Sequence, residues 1–308
     1  RRLGSTGFFV GCSSTRRNIR QESLITPATS IDTLVLDFDG TLTNIEEEAE
    51  PYVEGFRQGL ARELGLSQSE IDTYWNKARD KILRNPENYA WKLEGIPVAS
   101  ATSDPILICY PIADEIFAGV GKTFSEKERR ALLGKLFLEN RKKMGQAFKE
   151  GANDFLSEVY NLFNGRVYIV TNSSTDDIVS KINRLPSDHS LIPVLGGAKK
   201  YVVTNSFERL PETINIPRLE RPVYLRRQQY SEILDKIMQE QNTEALRMMV
   251  VGDIWELDLA LPQYLGMHIG LTLNPTTPQY EKNVVANDKK GFISDNLESV
   301  YRSLKERV

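Results

Sequence analysis

Apolar and polar positions follow two periods that alternate along most of the chain. The first apolar run, Ile31 to Leu36, is nearly continuous, as expected of a strand buried on both faces of a parallel sheet. After Thr43 the period lengthens. Tyr52, Phe56, Leu60 and Leu64 recur every four residues and Gly65 follows them, which predicts an amphipathic helix with a glycine stop. Ser67 with Glu70, and Ser125 with Glu128, have capping-box spacing ahead of further helical stretches, the second running through Leu132, Leu133, Leu136 and Phe137. Between them, residues 84–112 hold Pro86, Pro97, Pro105 and Pro111 and read as loops joining short helices. Residues 46–149 are therefore predicted to be all-helical.

Strand character returns at Arg166–Val170, after an amphipathic helix through Phe155, Val159 and Leu162. Asp176 and Asp177 suit the first turn of a helix running to Leu185. Residues 186–225 are broken by Pro186, Pro193, Pro211, Pro217 and Pro222, with Val194-Leu195 and Tyr201–Val203 as short strand candidates. Ser231–Gln241 is helical, Met248–Val251 is another apolar strand, and a strand near His268–Leu273 and a helix near Leu297–Leu304 close the chain. Strands alternating with helices predict the α/β class: a Rossmann-like, doubly wound parallel sheet core with an inserted all-helical cap domain. The expected division is a core of residues 31–45 and 150–308, a cap of residues 46–149, and a flexible basic segment over residues 1–30.

Composition narrows the field. At 308 residues two domains are expected, and 40% hydrophobic with 26% charged residues is ordinary for a globular chain. A net charge of −3 gives no global footprint for nucleic acid. No apolar run approaches the roughly 20 residues of a membrane span. Cys12 and Cys109 are too few for a disulfide framework and match no zinc spacing, so both are expected to be free thiols. His189 and His268 stand alone, without a metal partner at useful spacing. Residues 1–30 carry Arg1, Arg2, Arg16, Arg17 and Arg20, many Ser and Thr, and one acid, Glu22, the composition of a mitochondrial or plastid transit peptide. The chain does not begin with Met, which fits a start partway along a precursor. The alternative is a disordered or partner-binding arm on a cytoplasmic protein.

In an open α/β sheet ligands bind beyond the carboxyl ends of the strands. Three polar clusters fall there: Asp37/Asp39, Thr171/Asn172 and Asp253/Asp258. Asp37 and Asp39 flank Phe38 and leave the strand end on the same side. Two such carboxylates repel by roughly 4 kcal/mol at an effective dielectric of about 20 unless a cation lies between them. Carboxylates converging from two strands, with water, would hold Mg²⁺.

Asp37-Phe38-Asp39-Gly40-Thr41 resembles the first motif of the haloacid dehalogenase-like hydrolases, a superfamily of mostly phosphatases. The Thr171 strand end resembles its second motif, and Gly252-Asp253 with Asp258 its fourth. The resemblance covers roughly residues 31–45 and 150–308, and one cap class of that superfamily is inserted where residues 46–149 lie. It implies that Asp37 is the nucleophile, giving an aspartyl-phosphate. Asp39 would protonate the leaving oxygen and then activate water. Thr171 would bind a phosphoryl oxygen, helped by backbone amides near Gly40 and Asn172. Asp37, Asp39, Asp253 and Asp258 form the implied metal set. The third motif is a lysine, and there the chain departs from the pattern. Arg226 is the favoured candidate, ahead of the Met248 strand, and Lys200 is the second. Arginine would keep the charge without reproducing a compact ammonium.

The expected activity is hydrolysis of a small phosphorylated metabolite with Mg²⁺. A reading of another class is a non-catalytic subunit or assembly factor of an organellar complex, docking through residues 1–30 and 186–225. The absent lysine motivates it. A haloacid dehalogenase is a distant third, because Asp39 supplies a proton that halide departure does not need.

Overall fold

The computed structural model describes residues 30–308. The expectations placed on residues 1–30, targeting and docking alike, lie outside the described residues but for Ser30. In chain order, strand β1 (Thr33–Leu36) leads into helices α1 (Ile45–Leu64) and α2 (Gln68–Arg84). Strands β2 (Ala90–Leu93) and β3 (Ile96–Ser100) follow, then helices α3 (Cys109–Gly119), α4 (Glu126–Asn140) and α5 (Ala152–Leu162). Next come β4 (Val167–Val170), α6 (Thr175–Ile182), β5 (Val194–Leu195), β6 (Thr213–Ile214), β7 (Val223–Tyr224) and α7 (Gln228–Gln241). The chain ends with β8 (Met248–Gly252), a π-helical turn (Trp255–Leu259), α8 (Ala260–Tyr264), β9 (His268–Thr272), α9 (Gln279–Ala286), β10 (Gly291–Ser294) and α10 (Leu297–Lys305).

Six strands form one parallel sheet in the order β10-β9-β8-β1-β4-β5, so β1 lies in the middle with β8 on one side and β4 on the other. The continuous apolar runs are explained by this position, since alternate residues enter different layers. Val35, Tyr168, Val170, Met248 and Val250 pack with Tyr230, Leu234 and Ile237 of α7. Leu34, Leu36, Val167, Ile169, Met249 and Val251 pack on the other face with α5, α6 and α10. This is the doubly wound sheet that the strand–helix alternation predicts.

The insertion between β1 and β4 has its own apolar cluster, where Tyr52, Phe56 and Leu60 of α1 meet Trp75, Ile112, Leu133 and Leu136. Both capping boxes form, at Ser67/Glu70 and Ser125/Glu128. The insertion is helical apart from one feature. Where proline-broken loops are expected, β2 and β3 make an antiparallel hairpin. Glu94 and Gly95 both have positive φ, 52° and 83°, the conformation of a two-residue hairpin turn. The hairpin also touches the sheet domain: Ala99 packs with Ile254 and Leu257 of the π-turn region. Tyr201–Val203 forms no strand, and β6 pairs with β7 in the excursion before α7 instead. No helix among the described residues is long and apolar enough to cross a membrane.

Candidate active site

The carboxyl ends of β1, β4 and β8 deliver the three polar clusters to one place. Asp37 follows β1 and is buried, with its second oxygen Oδ2 accepting from Thr41 Oγ1 at 3.1 Å. The chain then turns through Gly40, whose φ of +80° suits glycine. Space demands glycine as well, because a Cβ there would lie 2.2 Å from Asp253 Oδ2. Gly40 N donates to Thr43 Oγ1 at 3.1 Å.

Asp253 follows β8 and is held by Asn274 Nδ2 at 2.7 Å. Asp258 sits in the π-helical turn, where its Oδ2 accepts from the Ile254 amide at 3.0 Å. One oxygen from each of Asp37, Asp253 and Asp258 lies within 4.8 Å of the others, and all three residues are buried. Burial pushes the Asp37 carboxyl up to about 7, with Asp258 adding to the rise and Lys200 opposing it. Asp253 is likewise pushed well above the ordinary range by burial, then by Asp258 and Asp37. Three buried carboxylates crowded at the cavity floor form an oxygen donor set with excess negative charge, which fits a hard divalent cation. Asp39, named with the metal set from sequence, is not in this cluster.

Asp39 turns toward β4 and α6 instead. Its Oδ2 accepts from Ser173 Oγ at 2.6 Å and, more distantly, from Thr171 Oγ1 at 3.5 Å. Its Oδ1 faces Lys181 Nζ at 3.3 Å. Thr171 is buried and also accepts from the Ser173 amide at 3.1 Å, which sets the turn after β4. The two aspartates thus leave one strand end for different surroundings: Asp37 toward acids and Lys200, Asp39 toward hydroxyls and Lys181.

The basic partner of Asp37 is Lys200, not Arg226. Lys200 is buried, and its Nζ donates to Asp37 Oδ1 at 2.7 Å and to Asp258 Oδ1 at 2.9 Å. Burial works against the ammonium, but Asp258 and then Asp37 outweigh it and hold the proton more tightly than usual. Arg226 points elsewhere, donating to the carbonyls of Leu210 and Asn205 at 3.0 and 2.7 Å. The physical reason is the excursion 201–227, which separates the lysine from helix α7, beside which the sequence pattern places such a residue. Lys200 is aimed by the backbone: Lys199 has a positive φ of 48°, and the Lys200 amide donates to Asn172 Oδ1 at 2.8 Å. The Asn172 side chain thus fixes the lysine loop, and the residue lines the cavity beyond β4. The neighbouring Arg227 is buried too and donates to the carbonyl of Lys200 and, at 2.8 Å, to that of Val98 in β3.

Above this floor lies a cavity of about 880 Å³, open to solvent on one side and lined in part by the insertion. Asp37, Asp39 and Thr171 line it from the sheet; Trp91, Arg141 and Lys142 line it from the insertion. Trp91 meets Tyr201 edge to face at 5.5 Å. Ser173, Lys181, Asn274 and Trp91 join the site without having been expected from sequence. Ser173 carries a usable signal, its place beside Thr171. Lys181 carries a subtler one, three residues after the buried Ile178 and so on the apolar side of a short amphipathic helix.

No family model matches this chain, and no curated protein does either. Among solved structures it is similar to a hydrolase of the haloacid dehalogenase-like family from Streptococcus pneumoniae, at 14% identity and a TM-score of 0.50, covering 89% of this chain and 99% of that one. It is also similar to a predicted phosphoglycolate phosphatase from Haemophilus somnus, at 14% identity and a TM-score of 0.48, covering 89% and 97%. At these identities the likeness is one of fold, and the first comparison carries it. The chain has the haloacid dehalogenase-like fold.

Proposed function

We propose that the chain is a Mg²⁺-dependent phosphomonoester hydrolase acting on a small phosphorylated metabolite. The observation that carries this reading is Asp37, buried against Lys200 at the floor of a chamber that Asp39 and Thr171 also line. Asp37, Asp253 and Asp258 would hold the cation, which would neutralise charge on the phosphoryl oxygens.

The residues divide the work between two displacements. An Asp37 oxygen bonds to phosphorus while the bond from phosphorus to the ester oxygen breaks. Protonated Asp39 gives its proton to that departing oxygen, so the alcohol leaves neutral. The Asp39 carboxylate then takes a proton from water as the water oxygen bonds to phosphorus. The bond between Asp37 and phosphorus breaks, inorganic phosphate leaves, and both aspartates return to their starting states. Thr171 would donate to a phosphoryl oxygen, and Lys200 would orient Asp37 and offset its charge. The insertion, which lines part of the chamber, would select the substrate.

Lys200 beside Asp37 favours this reading over a non-catalytic scaffold, which an absent basic partner would have favoured. Hydrolysis of 4-nitrophenyl phosphate with Mg²⁺ tests it, comparing wild type with Asp37→Asn. Magnesium-dependent turnover that the variant lacks is the expected result. Equal rates in the two proteins would sink the proposal.

A further inference from the structure

Lys181 lies outside the cluster of Asp37, Asp253 and Asp258, and it stands between Asp39 and the chain that leads into the insertion. It lies on α6 with its side chain only 16% exposed. Its Nζ is 3.3 Å from Asp39 Oδ1 and 3.1 Å from Glu48 Oε1. Glu48, on the first turn of α1, is fully buried, and the same oxygen accepts from the Ala147 amide at 3.2 Å. Lys181 is also 5.5 Å from the centroid of Phe38, the residue between the two aspartates. Phe38 packs edge to face on Phe148 at 5.9 Å.

Glu48, Ala147 and Phe148 belong to the two linkers that join the insertion to the sheet. These linkers are hydrogen-bonded to one another: Asn44 N donates to Ala147 O at 2.8 Å, Gly145 N to Glu48 O at 2.8 Å, and Lys149 N to Leu42 O at 2.9 Å. One ammonium therefore spans the proposed acid–base carboxylate, a buried carboxylate on the outgoing linker and, through that carboxylate, the returning linker.

We propose that Lys181 is a positioning residue for Asp39, fixing its carboxyl group relative to the linkers through Glu48. This rests on the phosphatase reading above, in which Asp39 protonates the leaving oxygen. Two carboxylates, one just after β1 and one from α1, share one partly buried cation, so moving either the linker or Lys181 moves the proton donor. The role predicts a specific signature. A misplaced proton donor slows departure of a basic alkoxide more than departure of a phenolate that leaves well unprotonated.

The test measures kcat and kcat/KM with Mg²⁺ on 4-nitrophenyl, phenyl and benzyl phosphates, whose leaving groups grow steadily more basic. Lys181→Met should lose at least about tenfold more on benzyl than on 4-nitrophenyl phosphate, a lower portion of the range general acids supply. Lys181→Arg should recover part of that difference. Glu48→Gln should show the same direction, and the double variant should lose less than the sum of the singles. Melting temperatures accompany each measurement, and Lys181→Arg with Glu48→Gln carry the test if Lys181→Met does not fold. Equal losses on all three esters, or none, would overturn the inference, because a merely structural lysine does not sense the leaving group. A wild type active on 4-nitrophenyl phosphate but not on benzyl phosphate would also overturn it. A wild type inactive on all three would instead bring down the phosphatase reading itself.

Discussion

Lys200 Nζ lies 2.7 Å from Asp37 Oδ1 across 163 residues of chain, and this contact organises the floor of the site. Lys200 shares its ammonium with Asp258, so two of the three clustered acids are tied to one cation. Replacing it by Met leaves both carboxylates buried without their partner. Lys200→Met is expected to cut turnover by about 10²-fold or more. It should also cost roughly 3–5 kcal/mol of stability in the absence of divalent cation. Arg226→Ala, which releases only two carbonyl contacts, should stay within about threefold of wild-type turnover. Steady-state kinetics beside urea unfolding decide it, and a larger loss from Arg226→Ala would reverse the assignment.

Excess negative charge makes a prediction about the cation. Asp253 is pushed up by burial and by Asp258 and Asp37, so neutralising it relieves repulsion while removing a ligand. Asp253→Asn should melt higher than wild type in chelator. Mg²⁺ should raise the wild-type melting temperature, since a ligand bound only by the folded state stabilises it. The variant should gain less. Thermal unfolding with EDTA and then with stepped Mg²⁺ measures both, and identical Mg²⁺ responses would remove Asp253 from the metal set.

Gly40 is constrained twice, by a φ of +80° and by the 2.2 Å that would separate its Cβ from Asp253 Oδ2. Gly40→Ala is expected to cost about 1–3 kcal/mol from backbone strain alone. The clash would also displace Asp253, so turnover at limiting Mg²⁺ should fall further than turnover at saturating Mg²⁺. Denaturant unfolding and a Mg²⁺ titration separate the two effects. Wild-type behaviour in both would mean that the turn relaxes freely.

Glu281, packed against the π-helical turn that carries Asp258, gives the fold a pH dependence of its own. It is fully buried, accepts from the Trp255 amide at 3.0 Å, and is pushed up to about 8, chiefly by burial and then by Glu256. The folded state therefore holds its proton more tightly than the unfolded chain, whose value is near 4.5. Between those values the folded state binds more protons, so the contribution to stability is present at low pH and is lost as pH rises toward 8. Glu281→Gln cannot lose that proton. Its stability relative to wild type should increase steadily from pH 5 to pH 8, measured by urea unfolding at each pH. Parallel curves would show that Glu281 does not titrate in this window.

The sheet is legible in the sequence because its strands are buried on both faces. A continuous apolar run as short as Met248–Val251 suits an interior strand, and the ends of such runs mark where Asp37, Thr171 and Asp253 meet. The capping boxes at Ser67 and Ser125 are legible because they are local. The hairpin is not, since Pro97 suggests a loop and the turn at Glu94-Gly95 lacks the usual Asn or Asp signal. Lys200 stands behind Arg226 on sequence grounds because proximity along the chain misleads where an excursion intervenes. A loop with Lys199 at positive φ, steered by an asparagine carboxamide, leaves no periodic trace. Lys181 is hidden for a related reason: one charged side chain on a helix of eight residues barely disturbs its pattern.

The hairpin has a consequence for motion. Ala99 sits against Ile254 and Leu257, and Val98 is held by the buried Arg227, so the insertion is fastened to the sheet away from its two linkers. A body tied along one edge can swing like a door, whereas one tied at a second point can only slide or bend while that tie holds. A rigid swing of the whole insertion about its two linkers would have to part Ala99 from Ile254 and Leu257 and break the hydrogen bond from Arg227 to the Val98 carbonyl.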